Sequence, residues 1–288
     1  VNGKPIDLAG APRPARTADT LIFLATYNER ATIARMVDSL LALPARCDVL
    51  VVDDRSSDGT TEWLGSRAAA DRRVGLIVRP AKLGVGSAHK LGWLHARRFG
   101  YRRIVTLDAD FSHDPADVPR LLAALDRGAD VAIGSRFAPG GQLDYRGWRL
   151  FLSRSANYLA RAVLRLPIAE YTTSLRAARL DRVPPGFVET IDNDGYGFFL
   201  ICAVRFVRAG LTVTEVPIHF RDRDHGTSKI PRLEILRGVL NLARLAVERR
   251  PPERGTPPLE RAQDCPECGQ PYCIPDAAGE MHCLACTR

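Results

Sequence analysis

In LIFLATYNERATIARMVDSLLALPARCDVLVVDDRSSDGT (21–60), two short apolar runs, LIFLA (21–25) and VLVVD (49–53), enclose a helix-length segment from Glu29 to Leu41. The alternation continues downstream. VGLIV (74–78), RIVTL (103–107) and VAIG (131–134) read as further strands, separated by helices over Thr60–Ala70, Val85–Phe99 and Asp117–Arg127. Asp114-Pro115 is a helix-start signal for the last of these. Short buried strands alternating with helices predict βαβ units, an α/β fold with a mostly parallel sheet flanked by helices. In such sheets ligands bind beyond the carboxyl ends of the strands.

After Gly134 the rhythm changes to amphipathic helices over 148–165 and 197–209, a strand over 213–218 and a loop over 220–229. A helix over 232–248 follows, with an apolar stripe through Leu233, Leu236, Leu240 and Ala243. That stripe suits either the protein's own core or a lipid surface flanked by Arg237, Arg244, Arg249 and Arg250.

Residues 1–19 lack periodicity and read as a disordered tail, leaving 20–248 as the main domain. The segment 249–264 is a Pro-rich charged linker, and 265–288 is a cysteine-rich module. No apolar run approaches the length of a membrane span, and no basic-then-apolar leader pattern is found. Cys47 and Cys202 lie singly in apolar surroundings, which fits a reducing compartment, so a cytoplasmic protein is expected. The chain carries a net charge of +8, with eight arginines against Asp144 and Glu170 between Arg136 and Arg179. Such a stretch suits nucleic acid, a membrane surface or a phosphorylated substrate, or is a solvated basic face.

Carboxylates follow the strands. In Asp108-Ala109-Asp110 a period of two places both acids on one face, where they can share Mg²⁺ or Mn²⁺ on a diphosphate. A solvated strand end is the competing reading. Asp53-Asp54 ends the second strand, suited to a ribose or base edge, or to an Asp-rich turn. ATYNE (25–29) contains no glycine, and Leu83-Gly84-Val85-Gly86 lacks the third glycine of a dinucleotide fingerprint. NAD and ATP chemistry are therefore disfavoured.

ATYNE (25–29), VVDDRSSDGT (51–60), RPAKLGVGSA (79–88), LDADFSHDP (107–115), GSRFAPGG (134–141), SRSAN (153–157) and EVPIHFRDRDHGTSK (215–229) together resemble the family 2 glycosyltransferases of the GT-A fold. The resemblance is to dolichol-phosphate or polyprenol-phosphate mannosyltransferases and covers about residues 20–245. It implies donor contacts at Ala25, Tyr27, Glu29, Val52, Asp54, Asp108, Ala109, Asp110, Arg136, Arg223 and Lys229. It places a catalytic Mg²⁺ or Mn²⁺ on Asp108, Asp110 and Ser112, and the acceptor phosphate near Arg136, Arg149, Ser153 and Arg154. The implied reaction is metal-dependent, inverting transfer of a hexosyl group, mannosyl by the resemblance, from GDP-mannose or a similar nucleotide sugar to polyprenyl or dolichyl phosphate. The implied place is the cytoplasmic membrane face, with the enzyme peripheral. The departures are Ala25 for the usual proline, Arg55 where glycine is usual, Glu170 for Asp and Leu175 for Phe in EYTTSLR (170–176), and Phe199 and Ile201 where Gln and Glu are usual.

Cys265-x-x-Cys268 and Cys283-x-x-Cys286 have zinc-ribbon spacing, and four thiolates close a tetrahedral shell, so a structural Zn²⁺ is expected ahead of two disulfides. The transferase motifs are complete by Lys229, so this module is expected to be dispensable for chemistry. A second enzyme reading keeps the fold with another lipid or polysaccharide acceptor. A third is an inactive transferase homologue serving as a zinc-ribbon adaptor. Nucleic acid is not expected as a partner, since 265–288 carries one arginine and three acidic groups.

Overall fold

The computed structural model describes residues 16–145, 147–222, 232–248, 272–275 and 281–285. The elements run β1 (Thr20–Thr26), α1 (Arg30–Leu41), β2 (Asp48–Asp53), α2 (Thr60–Ala70), β3 (Val74–Val78), α3 (Val85–Arg98), β4 (Arg103–Asp108), α4 (Val118–Asp126) and β5 (Val131–Ser135). They continue with β6 (Gln142–Leu143), α5 (Gly147–Leu164), β7 (Arg176–Arg179), α6 (Gly197–Arg208), β8 (Val213–Pro217), β9 (His219–Phe220), α7 (Arg232–Val247), β10 (Cys273–Pro275) and β11 (Met281–Cys283).

The main sheet has the order β3-β2-β1-β4-β7-β5-β8, parallel except for β7, which runs antiparallel to both neighbours. Strand alternation explains why the predicted strands are apolar throughout. Leu21, Phe23, Leu50 and Val52 face the layer formed with α3 and α6, while Ile22, Leu24, Val49 and Val51 face α1, α2 and α4. β7 was not legible as a strand, because its sequence is Arg-Ala-Ala-Arg. Arg176 nevertheless lies buried there, donating to the carbonyls of Tyr171, Thr173 and Phe199. A cation held by three carbonyls through Nε and Nη2, with Nη1 buried and without a hydrogen-bond partner among the described residues, takes a place that sequence reading reserves for an apolar residue.

Two flanking segments behave differently from the expectation of a free tail and a spaced module. Thr17 donates from its amide (2.8 Å) and hydroxyl (2.5 Å) to the Asp48 carboxylate, so residues 16–19 are tied to the start of β2. The rest of the expected tail, 1–15, lies outside the described residues, as does the linker 249–264. Of the four ribbon cysteines, Cys265, Cys268 and Cys286 also lie outside them. Cys283 is described, buried at the end of β11. Tyr272, Cys283, Leu284 and Ala285 are buried in the same apolar layer as α3, and the Tyr272 hydroxyl lies 2.7 Å from His95 Nδ1.

Candidate active site

The sheet register itself brings together three of the residues expected to contact a donor. Ala25 of β1 pairs with Val52 of β2 on one side and with Asp108 of β4 on the other. The loops beyond these strand ends are laced together. The amide of Asn28 donates to Ser56 Oγ (2.8 Å), and the amide of Ser57 donates back to Asn28 Oδ1 (2.8 Å). Glu29 N–H reaches Thr60 Oγ1 at 3.1 Å. Asn28 adopts φ 56°, a left-handed conformation that asparagine tolerates. Tyr27 carries the Lys82 ammonium 4.7 Å above its ring.

The two acids of Asp53-Asp54 have separate duties. Asp53, fully buried, accepts from Ser56 N and Oγ and from Thr61 Oγ1, and so braces the loop. Asp54 holds the buried Arg79 guanidinium, with Nε at 2.6 Å, and accepts from Leu83 N–H at 3.2 Å. Burial pushes the Asp54 carboxyl above its ordinary range, opposed by Arg79. The glycines of Leu83-Gly84-Val85-Gly86 serve close packing rather than a phosphate. A Cβ on Gly86 would stand 2.6 Å from the Asn193 carbonyl oxygen, and the Gly86 amide donates to Asp194 O.

Arg55 sits at φ 57°, which explains why glycine suits this position and why an arginine here is strained. Its guanidinium donates to the Pro80 carbonyl (3.3 Å) on the exposed side, a bond of small net value. Arg55→Gly is therefore expected to stabilise the protein by about 0.5 kcal/mol, the relief of left-handed strain less the added unfolded-state entropy. Urea unfolding checks this, and a loss of stability would show that the guanidinium bond outweighs the strain.

At the end of β4 the chain bends sharply. Phe111 takes φ 60°, under the Arg35 guanidinium, and this turn brings Ser112 back onto Asp110 Oδ1 through its amide (3.0 Å) and hydroxyl (2.6 Å). Asp108 is the more open carboxylate, with its side chain 36% exposed, whereas Asp110 is buried. Ser112 is thus fastened to Asp110. Buried His113 places Nδ1 3.4 Å from the Asp108 carboxylate and Nε2 3.1 Å from Thr173 Oγ1. Burial holds this imidazole below its ordinary pKa, against the pull of Asp108 and Asp110.

Arg136 follows β5 and is almost fully buried beside Glu170, with Nε and Nη2 each 2.7 Å from its carboxylate oxygens. Burial opposes ionisation of Glu170, but Arg136 and Thr172 outweigh it and hold the carboxyl below its ordinary value. Phe220 of β9 lies under the Arg136 cation (5.1 Å) and edge-on to His113 (4.9 Å), so the carboxylates after β4 and the arginine after β5 share one aromatic wall.

Arg149 and Ser153 lie one turn apart on α5, with Arg154 exposed next to Ser153. Arg223 and Lys229 lie outside the described residues. The chain enters that segment from Arg221, whose amide donates to the Ser112 carbonyl at 3.0 Å. Arg79, His113, Asn157, Thr172 and Phe220 all lay inside quoted motifs but were given no role at the site, and Glu170 was noted as a departure without its partner.

Residues 21–182 match the family model of glycosyl transferase family 2. The chain is 37% identical over 236 residues to polyprenol monophosphomannose synthase of Mycolicibacterium smegmatis, covering 81% of this chain and 89% of that relative. It is also 37% identical over 225 residues to undecaprenyl-phosphate mannosyltransferase of Micrococcus luteus, covering 78% and 92%. Glucosyl-3-phosphoglycerate synthase from Mycobacterium tuberculosis, crystallised with Mn²⁺, UDP and glucosyl-3-phosphoglycerate, shares the fold with a TM-score of 0.54 at 21% identity, covering 85% and 82% of the two chains. With laced loops on a sheet of this order, and relatives matched along nearly their whole length, the chain belongs to glycosyltransferase family 2 and carries its GT-A fold.

Proposed function

We propose that this enzyme transfers a mannosyl group from a nucleotide sugar, GDP-mannose in the first instance, to a polyprenyl phosphate. The observation that carries this reading is the 37% identity that spans 89% of the polyprenol monophosphomannose synthase. The chemistry suits the site. A phosphate monoester has a second pKa of about 6 and is largely dianionic at neutral pH, so it attacks the anomeric carbon without a protein base. The sugar–diphosphate bond breaks as the new bond forms, and in-line attack inverts the anomeric centre. The residues' task is to hold two anionic groups together, which suits Arg136 for one and, through a divalent cation, the carboxylate pair for the other.

Asp108 and Asp110 suit a divalent cation. Among the described residues no group of three or more His, Cys, Asp or Glu converges, but Mg²⁺ is commonly held by one or two carboxylates plus substrate phosphates. The hard oxygen donors and the fixed Asp110–Ser112 turn fit such a shared site. When bound, the cation neutralises charge building on the leaving diphosphate. The four-cysteine Zn²⁺ site of the tail is part of the same proposal and is structural in character.

We place the protein peripherally on the cytoplasmic membrane face. No helix of the described residues is long and apolar enough to cross a membrane. α5 exposes Phe151, Tyr158, Leu159 and Val163 along one helical face, and Tyr158 is 76% exposed. α7 packs beside it and exposes Val239, Leu240 and Val247, while Leu242 and Leu245 turn inward. Of the stripe read from sequence, Leu240 and Ala243 are exposed, and the side chains of Leu233 and Leu236 lie outside the described residues. Exposed Arg154, Arg161, Arg237 and Arg244 add positive charge around this apolar face. Sedimentation with phosphatidylglycerol vesicles is expected to retain the protein at low salt, and Tyr158→Asp with Leu240→Asp to lower binding about tenfold or more. Binding unchanged by both substitutions would place the membrane contact elsewhere.

The deciding experiment for the reaction is transfer from GDP-mannose to farnesyl phosphate by the purified protein with Mg²⁺ or Mn²⁺. Mannosyl phosphofarnesol as product supports the proposal. Product from UDP-glucose alone overturns the donor, and no product from either donor overturns the reaction.

A further inference from the structure

The loop 165–175, between α5 and β7, is held at both ends. The amides of Ala169 and Glu170 donate to the Glu215 carboxylate of β8, each at 2.9 Å. Arg176 closes the other end through the carbonyls of Tyr171 and Thr173. Between these anchors stands the fully buried Glu170 carboxylate. Its Oε1 accepts from Thr172 N (2.9 Å), Thr173 N (3.2 Å) and Thr172 Oγ1 (3.1 Å) as well as from Arg136 Nη2. The Thr172 hydroxyl in turn accepts from Arg136 Nη2 at 2.6 Å. Asn157 ties this loop to α5, accepting from Tyr171 N (3.1 Å) and donating toward Thr172 Oγ1 (3.4 Å).

We infer that Glu170 is a positioning residue for the transfer reaction: through a two-pronged ion pair it fixes the Arg136 guanidinium in one orientation toward the acceptor phosphate. This deepens the mannosyl-transfer reading and rests on it. A buried ion pair is weak evidence for stability, because desolvation offsets much of the attraction. Its effect is on geometry. A planar guanidinium held by two parallel bonds loses the freedom to rotate, and Nη1 is the guanidinium nitrogen that Glu170 and Thr172 do not engage. An arginine set in advance loses less side-chain entropy when a phosphate arrives. The carboxylate must also have this length, because the loop anchors fix its backbone and a shorter acid falls short of the fork.

Glu170→Asp retains the charge and tests position alone. Its Kd for farnesyl phosphate, by calorimetry, is expected to rise about tenfold, the size of one charge-assisted hydrogen bond. Its Kd for GDP should rise by a smaller factor than its Kd for the phosphate, and kcat at saturating acceptor should change less than either. In an Arg136→Ala background the same change should add nothing, because there is no guanidinium to orient. Thr172→Val, which removes one contact of the fork and leaves the ion pair, should raise the phosphate Kd by a smaller factor, and it serves if Glu170→Asp fails to fold. An unaltered phosphate Kd in the folded variants overturns the inference, as does a tenfold penalty that persists without Arg136. A wild-type protein that binds farnesyl phosphate but transfers no mannose overturns the reaction reading, and with it the role of Glu170 in transfer, while the affinities still show whether Glu170 orients Arg136 toward a phosphate; no binding at all overturns both.

Discussion

Asp110→Asn is expected to lower mannosyl transfer about a thousandfold while leaving the folded state intact. The substitution preserves the shape of the turn, since an asparagine carbonyl still accepts from the Ser112 amide and hydroxyl that now hold Asp110 Oδ1. What it removes is one negative charge from the pair proposed to hold a divalent cation, which would neutralise charge on the leaving diphosphate. Losses of two to three orders of magnitude are usual when one such electrostatic contact is deleted, here about 3–4 kcal/mol. The measurement is kcat across a Mn²⁺ titration, with Mn²⁺ affinity in the presence of GDP as a second readout. Turnover within tenfold of wild type, with unchanged metal affinity, would move the metal site away from the end of β4. Thermal unfolding of the variant within a few degrees of wild type separates this loss from misfolding.

The site was legible in the sequence where it depends on strand ends. LIFLA, VLVVD and RIVTL are apolar on both faces, as strands buried on both sides are, so polar motifs were expected beyond their carboxyl ends, and the observed order brings Ala25, Val52 and Asp108 side by side there. The acids after them followed by position. Contacts between distant segments left no local signature. Glu170 lies 34 residues from Arg136, and its single extra methylene reads as a conservative change until the ion pair is seen. Arg176 reads as a surface residue by composition and is buried, because three carbonyls accept its protons. Arg55 was noticed as a departure, but only its φ angle gives the departure a physical cost.

The same limit applies to the tail, where Tyr272→Ala is expected to destabilise the whole enzyme by about 3–5 kcal/mol, the range for truncating a buried aromatic. For a domain of this size that is a fall in unfolding midpoint of about 10 °C. The linker's prolines suggested a spacer, and a module of about 25 residues cannot build a core alone. Tyr272 instead joins the core of its neighbour. It is fully buried, with its ring 6.1 Å from that of His95 and its hydroxyl 2.7 Å from Nδ1. His95 in turn packs on Phe99 and Tyr101, and the Tyr101 hydroxyl donates to Asp48, the residue that also holds Thr17. The Leu284 amide donates to the Tyr272 carbonyl, so the described parts of the tail act together. Removing the ring leaves a cavity against α3, whereas Tyr272→Phe keeps the ring, removes the buried hydrogen bond to His95 and should cost about 1–2 kcal/mol. Chelation of the proposed Zn²⁺ should lower the midpoint in the same direction, because metal that binds only the folded tail stabilises whatever the tail is packed against. Mannosyl transfer measured well below the midpoint should remain near wild type in the Tyr272 variants, since the carboxylates and Arg136 stand at the other end of the strands from the start of β2 and β4. A Tyr272→Ala protein that unfolds at the wild-type midpoint would mean that the tail contributes nothing to the domain it rests on, and the separate-module reading of 265–288 would then be the better description of this chain.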